Sequence, residues 1–151
     1  QPYFFFGKQT PSQDVIDFII SGDDLYMLHS DGHLSICSYT RVESSTSQCQ
    51  DPLPLVNPFG AYQGSDLFST AHFTQLLFAA PPDQSVLLLD ADTQGVMRFS
   101  PRSLELQNQF RPSTDTAYQV PPGPAGAVTV SPNHVLYIAV DGQVYFAANM
   151  P

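Results

Sequence analysis

The chain has no tryptophan, one lysine, two cysteines and a charged fraction of only 13%, about half the usual share. No apolar run approaches the roughly 18 residues that a helix needs to cross a bilayer, so no membrane insertion is expected. Lys8, Arg41, Arg98, Arg102 and Arg111 are the only basic residues, and they are scattered, against 14 acidic ones and a net charge of −9. Nucleic-acid binding needs clustered cations to displace counterions from phosphates. DNA and RNA are therefore poor candidates as partners, and so are anionic lipid surfaces. Glu43 and Glu105 are the only glutamates, so a paired-carboxylate glycosidase would have to use aspartates. No Gly-x-Ser-x-Gly elbow, His-Glu-x-x-His helix or phosphate-cradling glycine loop occurs. No cofactor is expected. Proline recurs at 14 positions and no i, i+3, i+4 stripe survives, so helices are not expected. Scarce lysine beside abundant Gln, Ser, Thr and Pro leans toward an extracytoplasmic or secreted protein. No Asn-x-Ser/Thr sequon adds to that lean. A start at Gln1 rather than Met suggests a processed product, a trimmed chain or the ordered part of a longer one.

What is present is a repeat. LYMLHSDGHLSI from Leu25, VLLLDADTQGVMRF from Val86 and VLYIAVDGQVYF from Val135 each read as apolar strand, tight acidic turn, second strand. Their starts are 61 and then 49 residues apart. Repeats at such periods mean stacked supersecondary units. Flanking segments extend each copy toward four strands. In the first, 15–20 is strand A by its β-branched and aromatic content, 25–29 strand B, 33–39 strand C and the polar 41–50 strand D. In the second they are 73–79, 85–90, 96–99 and 104–110. The third has 126–130, 135–140 and 143–147 and no strand D. The order runs from apolar inner strands to a polar outer one. A propeller blade needs that gradient, because neighbouring blades cover its inner strands on both faces. The expected fold is thus all-β, with three β-propeller blades: 15–50, 73–111 and 125–148. The long segments 51–72 and 111–125 join strand D to the next strand A and should share a face with the B–C turns.

Val86 to Phe110, VLLLDADTQGVMRFSPRSLELQNQF, resembles a blade of the NHL class of propellers, with Asp90, Arg98 and Phe99 at its pattern positions. YIAVDGQVYF also resembles TolB-like and YVTN-like blades. The resemblance implies architecture and a capacity for binding, since these families include enzymes and scaffolds alike.

Three blades cannot close a ring, which takes about four to eight. Tyr3, Phe4, Phe5 and Phe6 form a strand-like run within 2–8 with no A, B or C strand before it. It is expected to supply the fourth strand of a blade from elsewhere, and two copies would then make a six-bladed homodimeric ring. The other reading places the missing blades in a partner or in the rest of a longer polypeptide. Cys37 and Cys49 flank a hairpin centred on residue 43 and are either a cross-strand disulfide or two packed thiols. Phe59, Tyr62 and Phe68 in the first long loop are either a partner-binding surface or plugs against the ring.

Asp31, His33, His72, Asp92 and Asp141 lie in or near the B–C turns and are the candidate set for a divalent metal. Against this, Asp-Gly in a hairpin serves backbone conformation. Asp83, and the pair Asp23 and Asp24, read as solvated turn residues. The function expected is a non-catalytic binding or assembly module that closes a ring. The alternatives are a propeller enzyme or metal-binding sensor, and an evolutionary or engineered fragment with no activity beyond assembly.

Overall fold

The computed structural model describes residues 12–38, 48–59, 67–114 and 119–148. Among them are eleven strands and no helix, in three antiparallel sheets that follow one another along the chain. The first holds β1 (Val15–Ser21), β2 (Asp24–His29), β3 (Leu34–Ser38) and β4 (Gln48–Leu53) in sequential order. The second holds β5 (Phe73–Phe78), β6 (Val86–Asp90), β7 (Gly95–Phe99) and β8 (Leu106–Phe110). The third holds β9 (Ala125–Val130), β10 (Leu136–Val140) and β11 (Gln143–Ala147). These are propeller-like blades, two of four strands and one of three.

Turn chemistry separates the strands. Asp141 and Gly142 both have positive φ (51° and 74°), the conformation of a two-residue hairpin that matches strand twist. Gly32 plays the corresponding part after β2 at φ 92°, where its amide donates to the His29 carbonyl at 2.9 Å. One strand departs from the sequence reading. Strand D of the first blade runs on to Leu53, through Pro52, rather than ending by residue 50. β4 is the edge of its sheet and its register against β3 shifts between Leu34 and Ile36. Edges and bulges are where a strand tolerates a residue without an N–H.

Two cores form, one at each junction. Leu28 and Leu34 of the first blade meet Leu76, Val86, Leu88, Met97 and Phe99 of the second. Leu87, Leu89 and Val96, on the other face of the second blade, meet Val128, Leu136, Ile138 and Val140 of the third. All five residues of β6 are therefore buried, which explains an uninterrupted VLLL run where a half-exposed strand would alternate. Each fully buried Leu or Val contributes about 1.5–3 kcal/mol.

A polar staple accompanies each core. Asp17 of β1 accepts the Leu76 amide of β5 at 2.7 Å through Oδ2. Gln75 of β5 takes the Val128 amide and donates to the Val128 carbonyl of β9, both at 2.8 Å. Both residues sit just past a register shift in their A strand, so the device recurs with the blade. Ala127 stands at the matching place in β9 and offers no acceptor.

Candidate functional site

The long connections and the B–C turns do lie together. Gln94, in the turn after β6, donates to the carbonyls of Pro121 and Gly123 at 2.6 and 2.7 Å. Pro52, Leu53, Pro54, Leu55 and Phe68 share a pocket of about 290 Å³ with Asp31, Gly32 and His33. On this face His33 is held from both sides. Its Nδ1 lies 2.5 Å from Asp31 Oδ1 and its Nε2 2.6 Å from Asp51 Oδ1. Burial lowers the His33 pKa, but hydrogen bonds to Asp31 and Asp51 outweigh it and leave the imidazole above its ordinary value. Asp31 is held below the usual carboxylate range by the His33 amide, then by the ring.

Beneath His33 lies buried His29, its ring parallel within 4° and 4.0 Å away, centre to centre. His29 Nδ1 is 2.7 Å from the Gln13 carbonyl and Nε2 2.6 Å from the Ser35 hydroxyl. Ligand atoms of His29, His33 and Asp51 all fall within 4.8 Å of one another. Parallel rings, however, send their nitrogen lone pairs side by side rather than toward one point, and every ring nitrogen here already has a partner.

The five candidate metal ligands do not form one cluster. Asp31 and His33 meet, with Asp51 as the third member, which the sequence reading left unassigned in the loop. His72 pairs separately with Asp92 at 3.1 Å. Asp141 holds a turn conformation in the third blade.

At the opposite end of the second blade, the Arg98 guanidinium pairs with Asp83 and donates to the Ser85 hydroxyl. Ser85 donates to Asp83 Oδ1 through its hydroxyl (2.6 Å) and its amide (2.8 Å). Burial raises the Asp83 pKa, but these donors from Ser85 and Arg98 prevail and hold the carboxyl low. Asp83 is thus a structural partner of the strand C arginine rather than a solvated turn residue. Asp90 is buried, accepting the His72 amide and the Thr93 hydroxyl.

The outer flanks of the three-blade stack are apolar and open. Ile16, Phe18 and Ile20 alternate with the inward residues of β1 and point away from the second blade, Phe18 being 67% exposed. Position for position they match Thr74, Leu76 and Phe78 of β5, where Leu76 is 3% exposed because the first blade covers it. The Phe18 amide, equivalent to the stapled Leu76 amide, bonds instead to Asp17 Oδ1 of its own strand at 2.9 Å. On the far side Val144 and Phe146 (72% exposed) share a face with Tyr137. β11 is an edge, and beside it a groove of about 470 Å³ is lined by Phe110, Val120, Tyr145 and Arg111. No protein-family model, no curated protein and no solved structure matches this chain. Its likeness to propeller blades therefore stands on strand order, register and face-to-face packing.

Cys37 and Cys49 are directly opposite in register and joined in a disulfide, with Cα atoms 4.0 Å apart. Phe68 packs on Phe99 with ring centres 5.6 Å apart, whereas Phe59 is 42% exposed. Tyr3, Phe4, Phe5, Phe6 and Tyr62 lie outside the described residues.

Proposed function

We propose that the chain is a non-catalytic binding and assembly module, three blades of an NHL-like propeller that a second copy completes to a six-bladed ring. The observation that carries this reading is the exposure of Ile16, Phe18 and Ile20 at positions that are half-buried (Thr74, Phe78) or buried (Leu76) in the second blade. Large contiguous apolar faces mark interaction surfaces. The flank of the third blade offers the complement: Val144 and Phe146 near its outer edge, and small Ala127 and Ala139 on the inner strands. Bulky Phe18 and Ile20 suit such a trough.

In this ring each Tyr3–Phe6 segment adds a fourth strand to β11 of its partner, filling the groove at Tyr145 and Phe110. Reach allows it. Residues 7–14 span up to about 26 Å at roughly 3.3 Å each. Crossing from an inner to an outer strand takes about 14 Å, and from one blade to the next about 10 Å. The ligand-binding face is the one built by 51–72, 111–125 and the B–C turns. A disulfide at Cys37–Cys49 suits an oxidising, extracytoplasmic compartment.

Light scattering over a dilution series tests the reading. A stable mass of twice 16.6 kDa is expected. A monomer at all concentrations overturns ring closure by a second copy and places the missing blades in another polypeptide or the rest of a longer one.

A further inference from the structure

The His33 cluster carries an inference independent of ring closure. We propose that His33 is a proton-operated clamp: charged, it ties the β2–β3 turn to the strand end leading into the second blade, and neutral, it releases that connection. Carboxylates only accept hydrogen bonds, and neutral imidazole donates from one nitrogen alone. A ring whose two nitrogens lie 2.5 and 2.6 Å from Asp31 and Asp51 oxygens is therefore an imidazolium. His29 beneath it is satisfied as the neutral tautomer, Nδ1–H donating to the Gln13 carbonyl and Nε2 accepting from Ser35.

The groups facing His33 are Asp31 from the turn, His29 from β2 and Asp51 from β4. The pocket alongside is otherwise lined by uncharged residues, Leu34, Pro52, Leu53, Pro54, Leu55, Phe68 and Ser69 among them.

The clamp holds one end of a strap. Five residues beyond Asp51, the Val56 amide donates to the Leu104 carbonyl at 2.9 Å, and the Leu106 amide donates to Val56 at 2.8 Å. Residues 51–56 are held at one end by the His33 bond to Asp51 together with the pairing of Leu53 with Leu34, and at the other by the second blade's outer edge. Hydrogen bonds to the two carboxylates raise the His33 pKa in the folded state despite burial. The clamp is therefore complete below the ordinary histidine value of about 6.5 and is lost as pH rises through the higher folded value. With the ring about one-third exposed, salt weakens it.

Proton NMR of the histidine Cε1–H signals tests this, together with amide exchange at Val56 and Leu106 corrected for intrinsic base catalysis. His33 is expected to titrate above 6.5, and Asp51→Asn to lower its midpoint. Protection of the two strap amides should fall several-fold across that midpoint while Leu88 stays constant. His33→Gln, which donates but never ionises, should make strap protection independent of pH. A wild-type midpoint at or below 6.5, or strap protection flat across it, overturns the clamp.

Discussion

Replacing Phe18 by Ser tests the open flank most directly. An aromatic side chain presents about 150–250 Å² to bury. With Phe18 67% exposed in the single chain, roughly 100–170 Å² remains for a neighbour to cover. At about 25 cal/mol per Å², that is about 2.5–4 kcal/mol at each junction. A ring of two chains has two such junctions, so the substitution should weaken association by about 5–8 kcal/mol, or roughly four to six powers of ten in Kd. Within the monomer Phe18 packs little, and an exposed substitution should leave unfolding free energy within about 0.5 kcal/mol. Sedimentation equilibrium beside urea unfolding at a concentration where both proteins are monomeric separates the two effects. Loss of the dimer at unchanged monomer stability supports the reasoning. A Phe18→Ser protein that dimerises like the parent would show that Ile16, Phe18 and Ile20 are not at the seam.

Other outcomes concern stability. Asp83→Ala removes the carboxylate partner of the Arg98 guanidinium, leaving its bond to Ser85, and should cost about 1–3 kcal/mol in denaturant unfolding. Because the folded pKa of Asp83 is depressed, its contribution is present above about pH 4 and lost as pH falls through the folded value. Asp83→Asn should accordingly flatten the acid limb of a stability–pH curve, and an unchanged limb would refute the pairing. Reducing Cys37–Cys49, 12 residues apart in sequence, should lower stability by about 3 kcal/mol as chain entropy returns to the unfolded state, read as a drop in urea midpoint under reductant. The Thr74 hydroxyl is buried without a hydrogen-bond partner among the described residues. Thr74→Val should therefore raise stability by about 1 kcal/mol, a few degrees in a calorimetric Tm for a chain of this size; a lower Tm would reveal a partner.

Strands and turns were legible because their signals are local. The β-branched and aromatic content of β1, the unbroken VLLL of β6 and the Asp-Gly turn at Asp141 each announce their conformation within a few residues. Most boundaries fall within two residues of the sequence reading. The site was legible only in part, because its partners come from afar. Asp31 and His33 are neighbours in a turn, but Asp51 reaches them only through the β3–β4 register. That register depends on a bulge at a proline that local propensity assigns to a loop. Arg98 stood out as a strand C arginine, yet its partner Asp83 lies in a turn whose Pro-Pro-Asp composition reads as solvent-facing. Asp17 and Gln75 left no local mark, since their work is done across blades; aligning the A strands at their register shifts would have found them.

The absence of an acceptor at Ala127 sets an order of failure. Inside one chain, adjacent blades are riveted by a directional polar bond as well as greased by side chains; in the proposed ring no such rivet would join one chain to the next. Force or dilution applied to a closed ring should part it along that fault line first. Each half would come away intact, ready to re-form.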